Sequence, residues 1–386
     1  MRAFFLLACL FGLTAASPTI AWWDQPRRGA NSFNRLPPNQ AYFEAFAGLG
    51  GEWMRVTFTK WKGEKRDFLI GDADDYRGLV PADLAVLRDV LDRADGAGLK
   101  VVIAPLSLPL NRWVQQNGNK QDGRLWHDKA NWQPAIRFWR DLAAELADHP
   151  AIAAYNILNE PTPEREFGLK EHSPAEVAQA WYAANRGTAR DLPLFYEAVT
   201  AAIRSVDRDT PIMLDAGWYA AADAFYWAGP LADKSLLYAF HMYEPYAATS
   251  APNLNRKPAP FPYPGKIGGE LWDAARVAAY IGLPLAWADS HDVPRNRMVA
   301  GEFGCMRRLP FCAQYLEDVL TVLDGARVHW AFYAFREDVW DAMDYELGAA
   351  PVNWRYWDMM EKGERDTIAR DSNAAAFAPI RRRLAH

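Results

Sequence analysis

Eight short runs of β-branched, aromatic and aliphatic residues recur along the chain, with helix-patterned segments between them. No other feature of the sequence restricts the fold so tightly. The runs are Arg28–Phe33, Glu52–Phe58, Lys100–Leu106, Ile152–Leu158, Pro211–Asp215, Leu236–Met242, Arg297–Phe303 and Val328–Phe335, each of strand length and composition. Pro81–Ala97 puts Leu84, Leu87, Val90 and Leu91 on one helical face, with Pro81 early and Gly96 and Gly98 at the end. Trp132–His149 repeats that pattern with Ile136, Trp139, Leu142 and Leu146, and further helices are expected over Leu194–Asp207, Glu270–Ile281 and Ala313–Leu323. Strands that alternate with helices pair in parallel through right-handed crossovers. Eight such units predict a closed (β/α)8 TIM barrel with long loops, one domain over residues 17–386. The competing open, doubly wound sheet carries a glycine-rich phosphate turn after its first strand. Here that turn reads Gly29-Ala30-Asn31-Ser32-Phe33-Asn34 and has no such pattern.

The ends of the chain and its charge narrow the setting. Arg2 followed by the apolar run Phe4–Leu13 and the small residues Thr14-Ala15-Ala16 has the form of an export signal over residues 1–16. The run is too short to span a bilayer, and no later stretch approaches the ~20 apolar residues a spanning helix needs. The expectation is an exported, soluble, monomeric protein without membrane insertion. Cys305 and Cys312, with six residues between them, are a candidate disulfide in an oxidising compartment. A net charge of −5 without a basic stripe argues against nucleic acid as a partner. No metal or cofactor is expected: the histidines are dispersed, and neither His-Glu-x-x-His nor Gly-x-Ser-x-Gly occurs. Asp72, Asp74 and Asp75 lack the rest of a calcium loop and read as a surface charge cluster.

Barrel chemistry sits at the C-terminal ends of the strands. The fourth run ends in Asn159-Glu160-Pro161, which alone reads equally well as a turn. The seventh ends in Gly301-Glu302-Phe303-Gly304. Strands four and seven of one barrel aim both glutamates into the same mouth, the arrangement that glycoside hydrolysis needs. One carboxyl must be protonated to donate to the leaving oxygen, and the other must be ionised. The sixth run adds His241 and Tyr243 on one strand face, and Arg55 is a charge inside an apolar strand, where it requires a carboxylate partner.

In this order, Arg55, Asn159-Glu160-Pro161, His241-Met242-Tyr243 and Gly301-Glu302-Phe303-Gly304 resemble family 5 of the glycoside hydrolases, the cellulase family. The resemblance covers nearly the whole chain after residue 16. It implies a retaining double displacement on a β-linked oligo- or polysaccharide, with β-1,4-glucan foremost and mannan as the alternative. It implies Glu160 as acid/base and Glu302 as nucleophile. Asn159 would hold the 2-hydroxyl, and Arg55, His241 and Tyr243 would orient Glu302. Two departures mark a divergent branch. The third run, Val101–Pro109, lacks the histidine usual in the family, and the aromatic floor of the eighth run falls on Phe335 rather than on a tryptophan. A non-catalytic carbohydrate-binding barrel is the reading of another class. Among the loop aromatics Trp61, Trp113, Trp126, Trp218, Tyr219, Tyr246 and Trp340, Trp61 and Trp218 are best placed to stack on sugar. Glu337, Asp338, Asp341 and Asp344 are candidates for sugar hydroxyls or a solvated loop.

Overall fold

The computed structural model describes residues 19–250, 262–338, 340–361 and 370–385. The expected export signal lies outside them. Eight parallel strands close into a barrel in sequential order: β1 (Arg28–Ser32), β2 (Trp53–Val56), β3 (Lys100–Ile103), β4 (Ile152–Asn156), β5 (Ile212–Asp215), β6 (Leu236–Met242), β7 (Met298–Phe303) and β8 (His329–Phe332). All eight expected strands form, most a few residues shorter than their apolar runs. Where the runs of β1, β2, β3, β4 and β8 continue past the strand, the extra residues leave the ladder at its C-terminal end and become the mouth.

Small side chains make the barrel interior possible. Ala153, Ala154, Ala239, Val299 and Ala331 pack there with Val102, Met213 and Leu237, and Trp23 fills the space at the N-terminal end. Trp23 lies on a short 3-10 turn, Ile20–Asp24. It donates its indole N–H to the Ala153 carbonyl at 3.1 Å and meets Trp53 edge-on at 5.2 Å. Gly29 is required opposite, because a Cβ there would lie 2.6 Å from the Trp53 ring. With that end plugged, the opposite end is the open one.

The surrounding helices cover the outer faces of the strands. Pro81–Gly96, Trp132–Leu146, Leu192–Arg204 and Cys312–Gly325 fall close to their expected positions. The helix expected at Glu270 starts later, at Ala274, where Asp273 caps it by accepting from the Arg276 N–H at 2.9 Å. Glu270–Trp272 instead pairs with Gly265–Ile267 as a hairpin, because Gly268 and Gly269 both take positive φ and close a two-residue turn. Gln40–Ala47 and Ala175–Asn185 are additional helices. Among the described residues, no helix is long and apolar enough to cross a membrane.

The expected disulfide is not formed. Cys305 and Cys312 are both free, fully buried thiols. The Cys312 thiol, at the first residue of its helix, turns back to donate to the Cys305 carbonyl at 3.1 Å. Burial pushes its ionisation well above the ordinary thiol range.

Candidate active site

The register of the strands brings the chemistry to the mouth. Arg55 on β2 lies beside Asn31 on β1. Between β6 and β7 the register slips at Gly301, so that His241 stands level with Glu302. A bulge of this kind at a barrel rim re-aims a side chain. Gly301 also leaves room for the imidazole, since a Cβ there would lie 3.3 Å from His241 Nε2.

Arg55 is fully buried, and all its nitrogens donate. Nη1 reaches Glu302 Oε1 at 2.6 Å and Asn31 Oδ1 at 3.3 Å. Nη2 reaches Asn159 Oδ1 at 2.8 Å, Asp215 Oδ2 at 3.2 Å and Asn156 Oδ1 at 2.5 Å, and Nε also reaches Asn156 Oδ1, at 2.9 Å. Asn156 in turn donates to Asp215 Oδ1 at 2.9 Å. One planar cation thus fixes side chains from β1, β4, β5 and β7, which a point-charge ammonium could not do.

The two glutamates have different surroundings. Glu302 is 5% exposed and is held by Arg55 on Oε1 and by the Tyr243 hydroxyl, which donates to Oε2 at 2.8 Å. Glu160 has positive φ and donates its backbone N–H to Asp215 Oδ2 at 3.1 Å, and its side chain keeps 30% of its surface open at the mouth. Its Oε1 lies 2.9 Å from His241 Nδ1. Atoms of Glu160, His241 and Glu302 all lie within 4.8 Å of one another. Such a trio can in general hold a cation, but here the Arg55 guanidinium already occupies the charge-compensating position against Glu302.

Burial pushes the Glu160 carboxyl up to about 8. The Asp215 and Glu171 charges add to the rise, and Arg55 opposes it. The open face lets water temper this effect without changing its direction. Burial also raises Glu302, and neighbouring Glu160 adds to the rise. The Arg55 charge and the Tyr243 hydrogen bond act against it. His241 is driven down by burial, so its ring is neutral near neutral pH. It is therefore a polar partner of Glu160, not a counter-ion.

Arg55, Asn159, Glu160, His241, Tyr243 and Glu302 all converge as the sequence predicts, with one change of role. His241 is bonded to Glu160 and is 3.9 Å from Glu302, so it orients the first carboxyl more than the second. Asn31, Asn156 and Asp215 were not anticipated. Their signal was the one that marks Arg55: a polar residue inside an otherwise apolar strand.

The aromatic assignments need correction. Phe335 is 1% exposed and packs on Tyr42 and Phe46 at 5.2 and 5.1 Å, because the chain has left β8 and turned outward by that point. Tyr333 takes the place near the site. It meets Phe33 edge-on at 5.4 Å and donates to Glu337 Oε1 at 3.1 Å, and burial pushes its phenol well up, with the Glu337, Glu302 and Glu160 charges adding to the rise. Trp61 is buried against Phe68, and Trp126 against Phe195. Trp218 is 9% exposed, and Tyr246, at 49%, is the most open of the group. The acidic residues after β8 have protein partners. Asp338 accepts from the Arg35 and Leu36 N–H groups, Asp341 pairs with Arg307, Asp344 with Arg370, and Glu337 with Lys60 at 3.0 Å. Asp72 and Asp74 pair with Arg112, and Asp75 with Arg77, as a charge network.

The family model described as cellulase (glycosyl hydrolase family 5) matches residues 21–339. Comparison with curated proteins gives no match. Among solved structures, one described as an endoglucanase matches with TM-score 0.57 at 20% identity, covering 82% of this chain and 91% of that one. An endoglucanase from Pseudomonas stutzeri matches with TM-score 0.58 at 19% identity, covering 90% and 99%. Thermotoga maritima Cel5A in complex with cellobiose matches with TM-score 0.62 at 15% identity, covering 94% and 99%. At these identities the structural likeness is one of fold.

Proposed function

The chain belongs to glycoside hydrolase family 5, and from that premise we propose that it is a retaining hydrolase of β-1,4-glucan, with Glu160 as acid/base and Glu302 as nucleophile. The observation that carries the reading is that one carboxylate oxygen of Glu160 lies within 4.8 Å of one of Glu302 at the mouth. Retaining enzymes hold their pair about 5–5.5 Å apart, and inverting enzymes roughly 6.5–9.5 Å to admit a water between them. Endoglucanases among the structural neighbours support glucan as the substrate. The Thermotoga maritima protein has also been solved with mannotriose, which keeps mannan as the second candidate.

The roles follow from the surroundings. A nucleophile must be ionised, and Glu302 is the carboxylate with a guanidinium 2.6 Å away and a phenol donating to it. A general acid must keep its proton near neutral pH, and Glu160, with no cation in contact among the described residues, is the one that burial and the Asp215 charge push up to about 8. Glu302 attacks the anomeric carbon as Glu160 passes its proton to the glycosidic oxygen, and the departing sugar leaves as an alcohol. The resulting ester loses the carboxylate's charge. In the second step Glu160, now ionised, takes a proton from water, the water oxygen bonds to the anomeric carbon, and Glu302 departs as a carboxylate. Arg55 and Tyr243 stabilise that departure. His241, neutral and bonded to Glu160 Oε1, keeps the acid aimed through both steps. The Asn159 carbonyl oxygen is engaged by Arg55, which turns its amide N–H groups toward the sugar's 2-hydroxyl. The apolar N-terminal run supports export to where polymeric glycan is found.

The test is hydrolysis of soluble β-glucans, mannan and xylan, followed by reducing ends, beside a Glu302→Ala variant. Wild-type activity highest on β-1,4-glucan, and lost in the variant, is the expected result. Highest activity on mannan would move the substrate assignment. Glycan binding without turnover in either form would replace the enzyme by a binding barrel.

A further inference from the structure

Asp215, the last residue of β5, has no surface open to solvent. A carboxylate in such a place is kept against a desolvation penalty, so its partners are informative. Its Oδ2 accepts from the Glu160 N–H at 3.1 Å and from Arg55 Nη2 at 3.2 Å, and its Oδ1 accepts from Asn156 at 2.9 Å. His241 Nε2 lies 3.8 Å from the same Oδ2 and has no hydrogen bond among the described residues. Asp215 thus meets Glu160 through its backbone and stands next to the ring that holds its side chain.

The backbone contact matters because Glu160 takes a φ of 52°, a left-handed position that a residue other than glycine keeps only where its surroundings hold it. A buried carboxylate on that N–H is such a hold. The second effect is on charge. Arg55 gives Nη1 to Glu302 at 2.6 Å and shares Nη2 with Asp215, so one positive charge serves two buried carboxylates. Serving Glu302 alone, the same guanidinium would keep Glu302 ionised to lower pH and would draw the proton from Glu160 sooner. Asp215 opposes both effects.

The other groups that face these carboxyls do not compete for that role. Glu160 also feels the Glu171 and Glu302 carboxyls and the phenols of Tyr219 and Tyr246. Glu302 also faces His241, Tyr243 and Tyr333. From the helix Leu192–Arg204, the Tyr196 hydroxyl donates to the Asp215 carbonyl at 2.9 Å. None of these groups is a cation near neutral pH, so the division of the Arg55 charge rests with Asp215.

We propose that Asp215 is a positioning residue that places the pH range of the reaction: it holds the backbone of the acid and draws part of the Arg55 charge away from both catalytic carboxyls. This rests on the roles given to Glu160 and Glu302 above, and adds to them the residue that keeps the pair working near neutral pH.

The test is kcat/KM against pH for the wild type and Asp215→Asn, on whichever glycan the wild type cleaves best. In the variant Glu302 keeps the whole of Arg55, so the acidic limb should move down. Glu160 loses a neighbouring negative charge, so the alkaline limb should move down as well, each by about one pH unit. The double variant Asn156→Asp with Asp215→Asn exchanges carboxylate and amide. It keeps one of each and the bond between them, which guards against a variant that does not fold, and it takes the charge off the Glu160 N–H. Its alkaline limb should also lie below that of the wild type. A merely structural Asp215 would lower kcat/KM with the limbs in place. An alkaline limb that stays or moves up in either variant overturns the proposal, as does an acidic limb that does not move down in Asp215→Asn. Carboxyl-carbon NMR titration of Glu160, assigned by its loss in Glu160→Gln, reads the same downward shift without turnover. A wild type that cleaves no β-glycan would overturn the hydrolase reading, and the titration would still decide the role of Asp215.

Discussion

Replacing Arg55 with methionine removes one positive charge from between two acidic partners, and the consequences are calculable. Arg55 contacts Glu302 at 2.6 Å and Asp215 at 3.2 Å, both essentially without solvent. Deleting one partner of a buried pair leaves an uncompensated charge and costs about 3–5 kcal/mol of stability. Arg55 lowers the pKa of both Glu302 and Glu160, so its loss raises both. For a carboxylate in direct contact with a guanidinium, the shift is about 1–3 units. Glu160 does not touch Arg55 and should move less. On the proposed roles, activity needs Glu302 ionised and Glu160 protonated, so Glu302 sets the acidic limb of the bell and Glu160 the alkaline one. In Arg55→Met the acidic limb should move up by about 1–3 units and the alkaline limb by less, giving a bell that is higher and narrower. Folded carboxyls raised above their unfolded values lose stability as pH rises, so the variant's melting temperature should fall more steeply toward alkaline pH than the wild type's. The assay is kcat/KM against pH on a soluble glucan, with thermal melts over the same range. An acidic limb that stays in place or moves down would refute the role assigned to Arg55.

Three further outcomes follow from other parts of the molecule. Gly301→Ala places a methyl 3.3 Å from His241 Nε2, so the ring must shift by a few tenths of an ångström; kcat/KM should fall with a displaced alkaline limb, while the melting temperature changes little. Native protein should show no reactive thiol at Cys305 or Cys312, and the denatured, unreduced chain should show both, whereas a bridge would leave neither. Phe335→Ala should lower stability by about 3–5 kcal/mol with KM unchanged, and Tyr333→Ala should raise KM, as steady-state kinetics beside denaturant melts will report.

The barrel was legible because eight apolar runs and the helices between them repeat one unit, and closure then forces the topology. The pair Glu160 and Glu302 was legible for the same reason, since strand ends of a barrel share a mouth. Local chemistry that depends on three-dimensional detail was not. His241 reads as a partner of Glu302, and the slip at Gly301 does set the two level, but its Nδ1 lies 2.9 Å from Glu160 and 3.9 Å from Glu302. Phe335 and Trp61 read as sugar platforms because their distance from a strand end is known, but the direction of the following loop is not. Glu270–Ile281 reads as one helix until two glycines turn its first residues into a hairpin. Asn31, Asn156 and Asp215 were visible as polar residues in apolar strands, the signal that marked Arg55, and only the guanidinium geometry shows that they form one network.

The most direct measurement is the configuration of the first product. Proton NMR during the opening minutes of hydrolysis of a β-linked oligosaccharide reads the anomer before mutarotation obscures it. With one oxygen of Glu160 within 4.8 Å of one of Glu302, the proposed retaining pair predicts that the β-anomer forms first, by way of a glycosyl ester on Glu302. The α-anomer appearing first would mean that water attacks directly, and that Glu302 is not the nucleophile.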